Sequence, residues 1–377
     1  MAFTRRNLLH GLAAGAVFAA GTRPLRVLAT QKNQTDAATS AAVLLDRNEN
    51  AYGPSEEVLS VIREAAPLSN RYPRDEYEVL RKRLALLHKV DLNQIVLGAG
   101  SSEVLRAAAA AFIGPNKKLL VPHPTYPDLA GYAVAKGIPV VRVPLTRTQE
   151  HDTDAMLAKA DSATGLVYIC NPNNPTGTLT PRKKIEALMG KLPSTVMIVV
   201  DEAYHHYVSA TAAYRSFLDQ PLGDPRILVT RTFSKIYGLA GSRVGYSVSS
   251  RDVAARLSPF CLQNGVTLVS AKAAAAALQD IAYVQMAAKR NADDRQEFMN
   301  QVNARMLRAV DSHANFVLLN PLRPVSEVLP HLEKNNVLVA PPIPAMDKYL
   351  RVSLGTPAEM QEFWRVWDLM PAGKMAM

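Results

Sequence analysis

Leu166-Val-Tyr-Ile-Cys-Asn-Pro-Asn-Asn-Pro-Thr-Gly177 is a short continuous apolar run that stops in a turn forced by two prolines and a glycine. Its length and content predict a buried strand. Val196-Met-Ile-Val-Val200 repeats the pattern and ends in Asp201-Glu-Ala-Tyr204. A third run, Ile227-Leu-Val229, leads to Ser234-Lys235, a Gly-rich turn and Arg243. Working outward, residues 94–97 followed by Gly98-Ala-Gly-Ser-Ser102 and an Ala-rich stretch to Phe112 read as strand, turn and helix. The turn lacks a third glycine, since position 103 is Glu, so it is not a dinucleotide fingerprint, but a helix start with small residues suits a phosphate. Further strands are expected near 118–121, 140–143, 226–230 and 245–248, alternating with helical stretches. That alternation predicts an α/β fold with a doubly wound, largely parallel sheet. Helices over 266–280 and 281–308 then lead to a smaller domain with strands near 316–319, 337–340 and 349–354.

The chemistry follows from three strand ends. A lysine at the mouth of a buried strand is costly unless its charge is used or its pKa falls, and such an amine condenses with an aldehyde to a Schiff base. Ser234, Arg243 and backbone N–H groups around Lys235 suit a phosphate, and aldehyde plus phosphate on one ligand describes pyridoxal 5′-phosphate. That segment alone also admits a surface lysine in a Gly-rich loop. Asp201 weighs against the second reading. An aspartate at the end of a buried strand is driven towards neutrality unless a cation such as a protonated pyridine nitrogen stands opposite. Ligands of open α/β sheets collect at these C-terminal strand ends.

In order and spacing, Asn174, Asp201, Tyr204, Lys235 and Arg243 resemble the fold-type I pyridoxal-phosphate aminotransferases (class I/II), most of all the histidinol-phosphate aminotransferases and their relatives. Asp46-Arg-Asn-Glu-Asn-Ala-Tyr-Gly-Pro54 matches the family's N-terminal element, with Ala51 in place of a proline. Arg71-Tyr-Pro73 matches a segment that one subunit lends to its neighbour, and Gly100-Ser-Ser-Glu103 matches the phosphate-cup turn. Lys348-Tyr-Leu-Arg-Val-Ser-Leu-Gly355 matches the motif whose arginine takes the substrate carboxylate.

The resemblance implies a transaminase that moves an amino group between an amino acid and a 2-oxo acid by a ping-pong route. It assigns Lys235 as the Schiff-base lysine, Asp201 to the pyridine nitrogen, and Tyr204 and Asn174 to the ring hydroxyl. Tyr126 stacks on the ring. Ser101, Ser102, Glu103, Ser234 and Arg243 form the phosphate cup, completed by Tyr72 from the other subunit of a homodimer. Arg351 and Asn174 take the substrate, and Tyr52 closes over it. One position departs: Ala340 stands where the histidinol-phosphate enzymes carry a second arginine for the substrate phosphate. A free amino acid is therefore the expected donor. The same fold performs decarboxylation, so a lyase is the enzymatic rival. A pyridoxal-phosphate-sensing binding protein is the non-enzymatic one, disfavoured because such proteins carry a fused DNA-binding module.

At 377 residues the chain exceeds one comfortable core. The expected division is an export signal over 1–29, an N-terminal arm and part of the small domain over 30–70, a large cofactor domain over 71–260, and linking helices with the small domain over 261–377. Arg5, Arg6, Arg23 and Arg26 precede any acidic residue and flank a weakly apolar Gly/Ala-rich run, which resembles a twin-arginine signal. It implies a periplasmic enzyme with no stable membrane association once the signal is cleaved. The net charge of +10 is not gathered into an aromatic-interleaved strip, so nucleic acid is not an expected partner. Cys170 and Cys261 are expected as buried free thiols. His205 and His206 lack partners at metal-ligand spacing and are expected as site-rim or surface residues rather than a zinc site, so no metal is implied.

Overall fold

A computed structural model describes residues 42–208, 213–219 and 223–371. The signal and linker read on residues 1 to about 40 lie outside the described residues. Twelve strands are described: β1 Val43–Leu45, β2 Ile95–Gly98, β3 Lys118–His123, β4 Val140–Pro144, β5 Thr164–Cys170, β6 Met197–Asp201, β7 Ile227–Thr232, β8 Gly245–Ser249, β9 Arg308–Ala309, β10 Phe316–Asn320, β11 Val337–Val339 and β12 Leu350–Ser353. Seven of them form one sheet in the order β2-β8-β7-β6-β5-β3-β4. Every pairing in it is parallel except those of β8, which runs against both β7 and β2.

Strand periodicity divides the core in two. Val167 and Ile169 of β5 join Ile198 and Val200 of β6 in one apolar cluster, while Leu166, Tyr168, Met197 and Val199 face the other. Both faces are covered by helices, so the central strands are buried throughout and read as unbroken apolar runs. Register aligns Cys170 with Asp201 and Asp201 with Thr230, which brings the C-terminal ends of β5, β6 and β7 level.

A third apolar cluster, built on Phe298, Phe316's neighbour Val317, Phe363 and Trp367, lies under a three-stranded sheet β12-β10-β9 and the separate pair β1-β11. That pair is parallel and joins the start of the described chain to its C-terminal part. Sequence reading did not anticipate β1, because three residues carry too little pattern. The long helix Ile281–Ala304 stops short of the expected position 308, since Arg308–Ala309 pairs with β10 instead. The helix expected from 266 begins at Leu268, where the Thr267 side chain caps it by accepting from Ser270 N. Among the described residues no helix is long and apolar enough to cross a membrane.

Candidate active site

Ser101, Ser102, Tyr126, Asn174, Asp201, Tyr204, Ser234 and Lys235 sit at or just past the ends of β2, β3, β5, β6 and β7, Arg243 at the entrance to the antiparallel β8, and Arg351 within β12. At the centre is Lys235, whose Nζ donates to the carbonyls of Asn48 (2.8 Å) and Arg47 (3.1 Å) and lies 5.6 Å from the centre of the Tyr204 ring. Burial, then the charges of Arg351 and Arg243, lower its pKa to about 7. An amine so placed is readily available in its neutral, nucleophilic form.

Asp201 is 2% exposed. Its Oδ2 accepts from the Tyr168 hydroxyl at 2.8 Å and its Oδ1 from Ala203 N at 3.2 Å. Burial raises its pKa to about 6 even though these bonds favour the ionised form. Among the described residues it has no ion-pair partner. Tyr204, also buried, accepts from Asn48 Nδ2 at 3.0 Å and from Asn174 Nδ2 at 3.4 Å, and burial holds its phenol well above the usual range. Asn174 in turn accepts from Arg351 Nη1 at 2.7 Å. Arg351 Nη2 donates to the Asp46 carbonyl at 2.7 Å, while its Nε is buried without a partner. Burial pulls this guanidinium below its usual pKa, since among the described residues no carboxylate pairs with it.

The phosphate-sized end is built by close backbone approach. Gly100 has φ +80° at the N-cap of the helix Ser101–Phe112, and a Cβ there would lie 2.3 Å from Arg243 Nη2. At Gly245 a Cβ would meet Ser101 N at 2.2 Å. Glycine at both positions lets the Arg243 guanidinium and the start of the helix share one anion site, where first-turn N–H groups lack intrahelical acceptors. Arg243 Nη1 donates to Ser234 Oγ at 3.3 Å, and Ser102 Oγ lies 3.0 Å from the Tyr126 hydroxyl.

Three expectations need correction. The Glu103 carboxylate does not face this cup; it accepts from Ala99 N (2.5 Å) and Leu262 N (2.6 Å) and braces the loop, as a like charge beside a phosphate would be repelled. The Tyr52 hydroxyl donates to Asp294 (3.0 and 3.2 Å) with Arg290 over its ring, and burial and Asp294 push its pKa up to about 12. His205 and His206 are half-buried beside Tyr214 and Tyr237 and line a separate cavity with His88 and Arg231, because their aromatic neighbours cover them. Tyr72 is 77% exposed and lies outside the site of its own chain. Both thiols are free; Cys170 is buried, but Cys261 only half-buried.

Two contributors escaped the sequence reading. Tyr168 sits one strand over from Asp201, on the same face as Cys170, and a tyrosine in the middle of a buried strand signals a hydroxyl in need of a partner. Asn48 has φ +54°, which turns its carbonyl to Lys235 and its amide to Tyr204; Asn315 Nδ2 supports that carbonyl at 3.0 Å.

The group these residues fit can be tested on their chemistry. An unpaired buried carboxylate calls for a cation, a low-pKa amine for an aldehyde, a helix start with Arg243 for a phosphate, and an orphaned guanidinium Nε for a carboxylate. Pyridoxal phosphate with an amino acid meets all four demands. Beside Tyr126, Asn174 and Arg351 opens a further cavity of about 540 Å3.

The chain matches the family model for aminotransferase class I and II over residues 41–366. It is 33% identical to a histidinol-phosphate aminotransferase of Moorella thermoacetica, over 88% of this chain and 86% of that one. With histidinol-phosphate aminotransferase 1 of Nitrosococcus oceani the identity is 36%, over 87% and 88% of the two chains. The histidinol-phosphate aminotransferase of Sinorhizobium meliloti, solved in complex with pyridoxal 5′-phosphate, superposes with a TM-score of 0.80 at 26% identity, over 86% of this chain and 91% of that one. By its fold, by the residues gathered at its strand ends and by these likenesses, the chain belongs to the aminotransferase class I and II family.

Proposed function

We propose that the protein is a pyridoxal-phosphate-dependent transaminase whose donor is a free α-amino acid. One observation carries the reading: the Lys235 amine lies 5.6 Å from the centre of the Tyr204 ring, which Asn174 links to Arg351, at strand ends that also present the buried Asp201 carboxylate, without an ion-pair partner among the described residues. The cofactor, when bound, supplies a sink for the electrons released at the substrate Cα. Asp201 holds the proton on its ring nitrogen, and Tyr168 holds Asp201 ionised by donating to it. Tyr204, fixed by Asn48 and Asn174, donates to the ring hydroxyl. Arg243, Ser234 and the start of the helix Ser101–Phe112 anchor the phosphate. Arg351 clamps the α-carboxylate with its free Nε–H, and Asn174 orients that guanidinium. Lys235 Nζ, in its neutral form, would take the proton from the substrate Cα and hold it for return.

Ala340 supports a free amino acid over histidinol phosphate: it is buried and uncharged where the family's phosphate arginine would stand, and histidinol phosphate has no carboxylate for Arg351. A panel of amino acids with a common 2-oxo acid tests the reading. Equimolar new amino acid and new 2-oxo acid are expected. Carbon dioxide with an amine product would assign the lyase chemistry instead.

The active unit in this reading is a homodimer in which Tyr72 reaches the partner's phosphate site, consistent with its exposure in the single chain. The enzyme acts in the periplasm after twin-arginine export, supported by Arg5-Arg6 and the apolar run that follows. Fractionation of cells expressing the full chain, with and without Arg5→Lys/Arg6→Lys, tests the address.

A further inference from the structure

The cavity beside Arg351 is rich in proline. Pro122 and Pro124 come from one side, Pro175 from the loop after β5, and Pro341, Pro342 and Pro344 from the segment after β11. Pro127 lies on the wall as well, and proline has no N–H, so these seven residues offer an anion no backbone donor. Ala340 and Ile343 complete the apolar surface.

The polar atoms on the wall are already engaged. Thr125 Oγ1 donates to Asn173 Oδ1 at 2.7 Å, the Tyr126 hydroxyl meets Ser102 Oγ, and Asn174 is held by Arg351 and Tyr204. Arg351 also lines the cavity, with Nη1 held by Asn174 Oδ1 and Nη2 by the Asp46 carbonyl. Two basic groups stand at the other end: half-buried His123 and Arg142, the latter exposed on the edge strand β4. Arg142 makes no hydrogen bond or ion pair within the described chain, and its head is solvated, where a charge attracts weakly.

We propose that this cavity receives the side chain of the amino donor and selects large apolar side chains over small or anionic ones, with Ala340 and Ile343 as the residues that set its depth. The inference rests on the transaminase reading above. A donor anchored by its carboxylate on Arg351 projects its side chain between the two proline walls. Flat apolar surface there is gained by a benzyl or isobutyl group and wasted on a methyl. A side-chain carboxylate, by contrast, gives up its water to meet, apart from Arg351, only half-buried His123 and the solvated head of Arg142.

Two measurements on the cofactor-loaded full chain test this. The first needs no turnover: affinities of 3-phenylpropanoate, propanoate and glutarate by calorimetry. The second is kcat/KM for phenylalanine, leucine, alanine and glutamate with one 2-oxo acid. We expect 3-phenylpropanoate to exceed propanoate, and phenylalanine to exceed alanine, by on the order of a hundredfold, with glutarate and glutamate no better than the small members. Ala340→Trp and, separately, Ile343→Trp should each cut the phenylalanine-to-alanine ratio at least tenfold, in protein whose bound cofactor keeps its absorbance. A preference for glutarate and glutamate would put Arg142 in control and overturn the proposal. A flat series, or a ratio unmoved in both variants, would do the same by placing the side chain elsewhere. If the carboxylates rank as expected but no donor yields a 2-oxo acid, the pocket stands and the transaminase reading fails.

Discussion

Replacing Asp201 by Asn should make the cofactor-free protein more stable while ruining it as an enzyme. Asp201 is 2% exposed, and burial raises its pKa from 3.8 to about 6. The folded state thus holds the proton more tightly than the unfolded chain. Its stabilising contribution is complete below the unfolded pKa and is lost as pH rises through about 6. A shift of roughly two units corresponds to about 3 kcal/mol, about half of it already lost at pH 5 and all of it by pH 8. Asparagine escapes this loss, since Nδ2 can donate to the Tyr168 oxygen while Oδ1 still accepts from Ala203 N. Thermal and urea unfolding of cofactor-free parent and variant between pH 5 and 8 measures the difference. The variant's advantage should grow across that range and then level off. In the loaded enzyme the order reverses: the amide cannot hold the ring-nitrogen proton, so turnover should fall by orders of magnitude, each tenfold loss being about 1.4 kcal/mol of barrier. A stability difference that does not change with pH would mean that Asp201 has the same pKa in the folded and unfolded chain, and the electrostatic account of the site would fall with it.

Three other outcomes follow from the same geometry. Lys235→Ala should abolish the near-visible absorbance of the lysine–cofactor linkage; a borohydride-reducible adduct on another lysine would show the site to be misassigned. Tyr72→Ala/Lys235→Ala chains mixed with parent chains should form heterodimers whose one lysine-bearing site binds cofactor weakly, and full activity from a demonstrable monomer would rule out the shared site. Histidinol phosphate should be no better a donor than an unphosphorylated amino acid. A kcat/KM advantage of a hundredfold or more, about 2.7 kcal/mol of transition-state binding, would require a basic residue other than position 340 to hold its phosphate.

Much of this architecture could be read from the sequence because its strands are buried on both faces. Unbroken runs such as 166–170 and 196–200 are hard to mistake, and each ends in a residue too polar for its surroundings unless chemistry requires it. Asp201 and Lys235 declare themselves in that way. Tyr168 does so only in retrospect, because its role depends on register: the parallel pairing of β5 with β6 decides that its hydroxyl reaches Asp201 rather than a helix. Asn48 was hidden for another reason. It works through backbone shape, a left-handed φ that turns one carbonyl; asparagine favours such a turn more than most residues but does not by itself announce one. Tyr52 makes a contact that its motif does not foretell. The motif around it is present, but its hydroxyl is claimed by Asp294, some 240 residues away in the chain, and local sequence is silent about so distant a competitor.

The pairing of β1 with β11 sets an order of events. The carbonyls of Arg47 and Asn48 that hold the Lys235 amine follow directly on β1, whose partner is made only near the end of synthesis. Contacts between distant parts of a chain form late, after the entropy of closing the loop has been met. The seven-stranded sheet can therefore assemble first, with the reactive amine uncovered, while the N-terminal arm waits for residues 337–339. A nascent or prematurely ended chain that stops short of them has every strand of the cofactor sheet and yet lacks the strand that pairs with the arm carrying those two carbonyls.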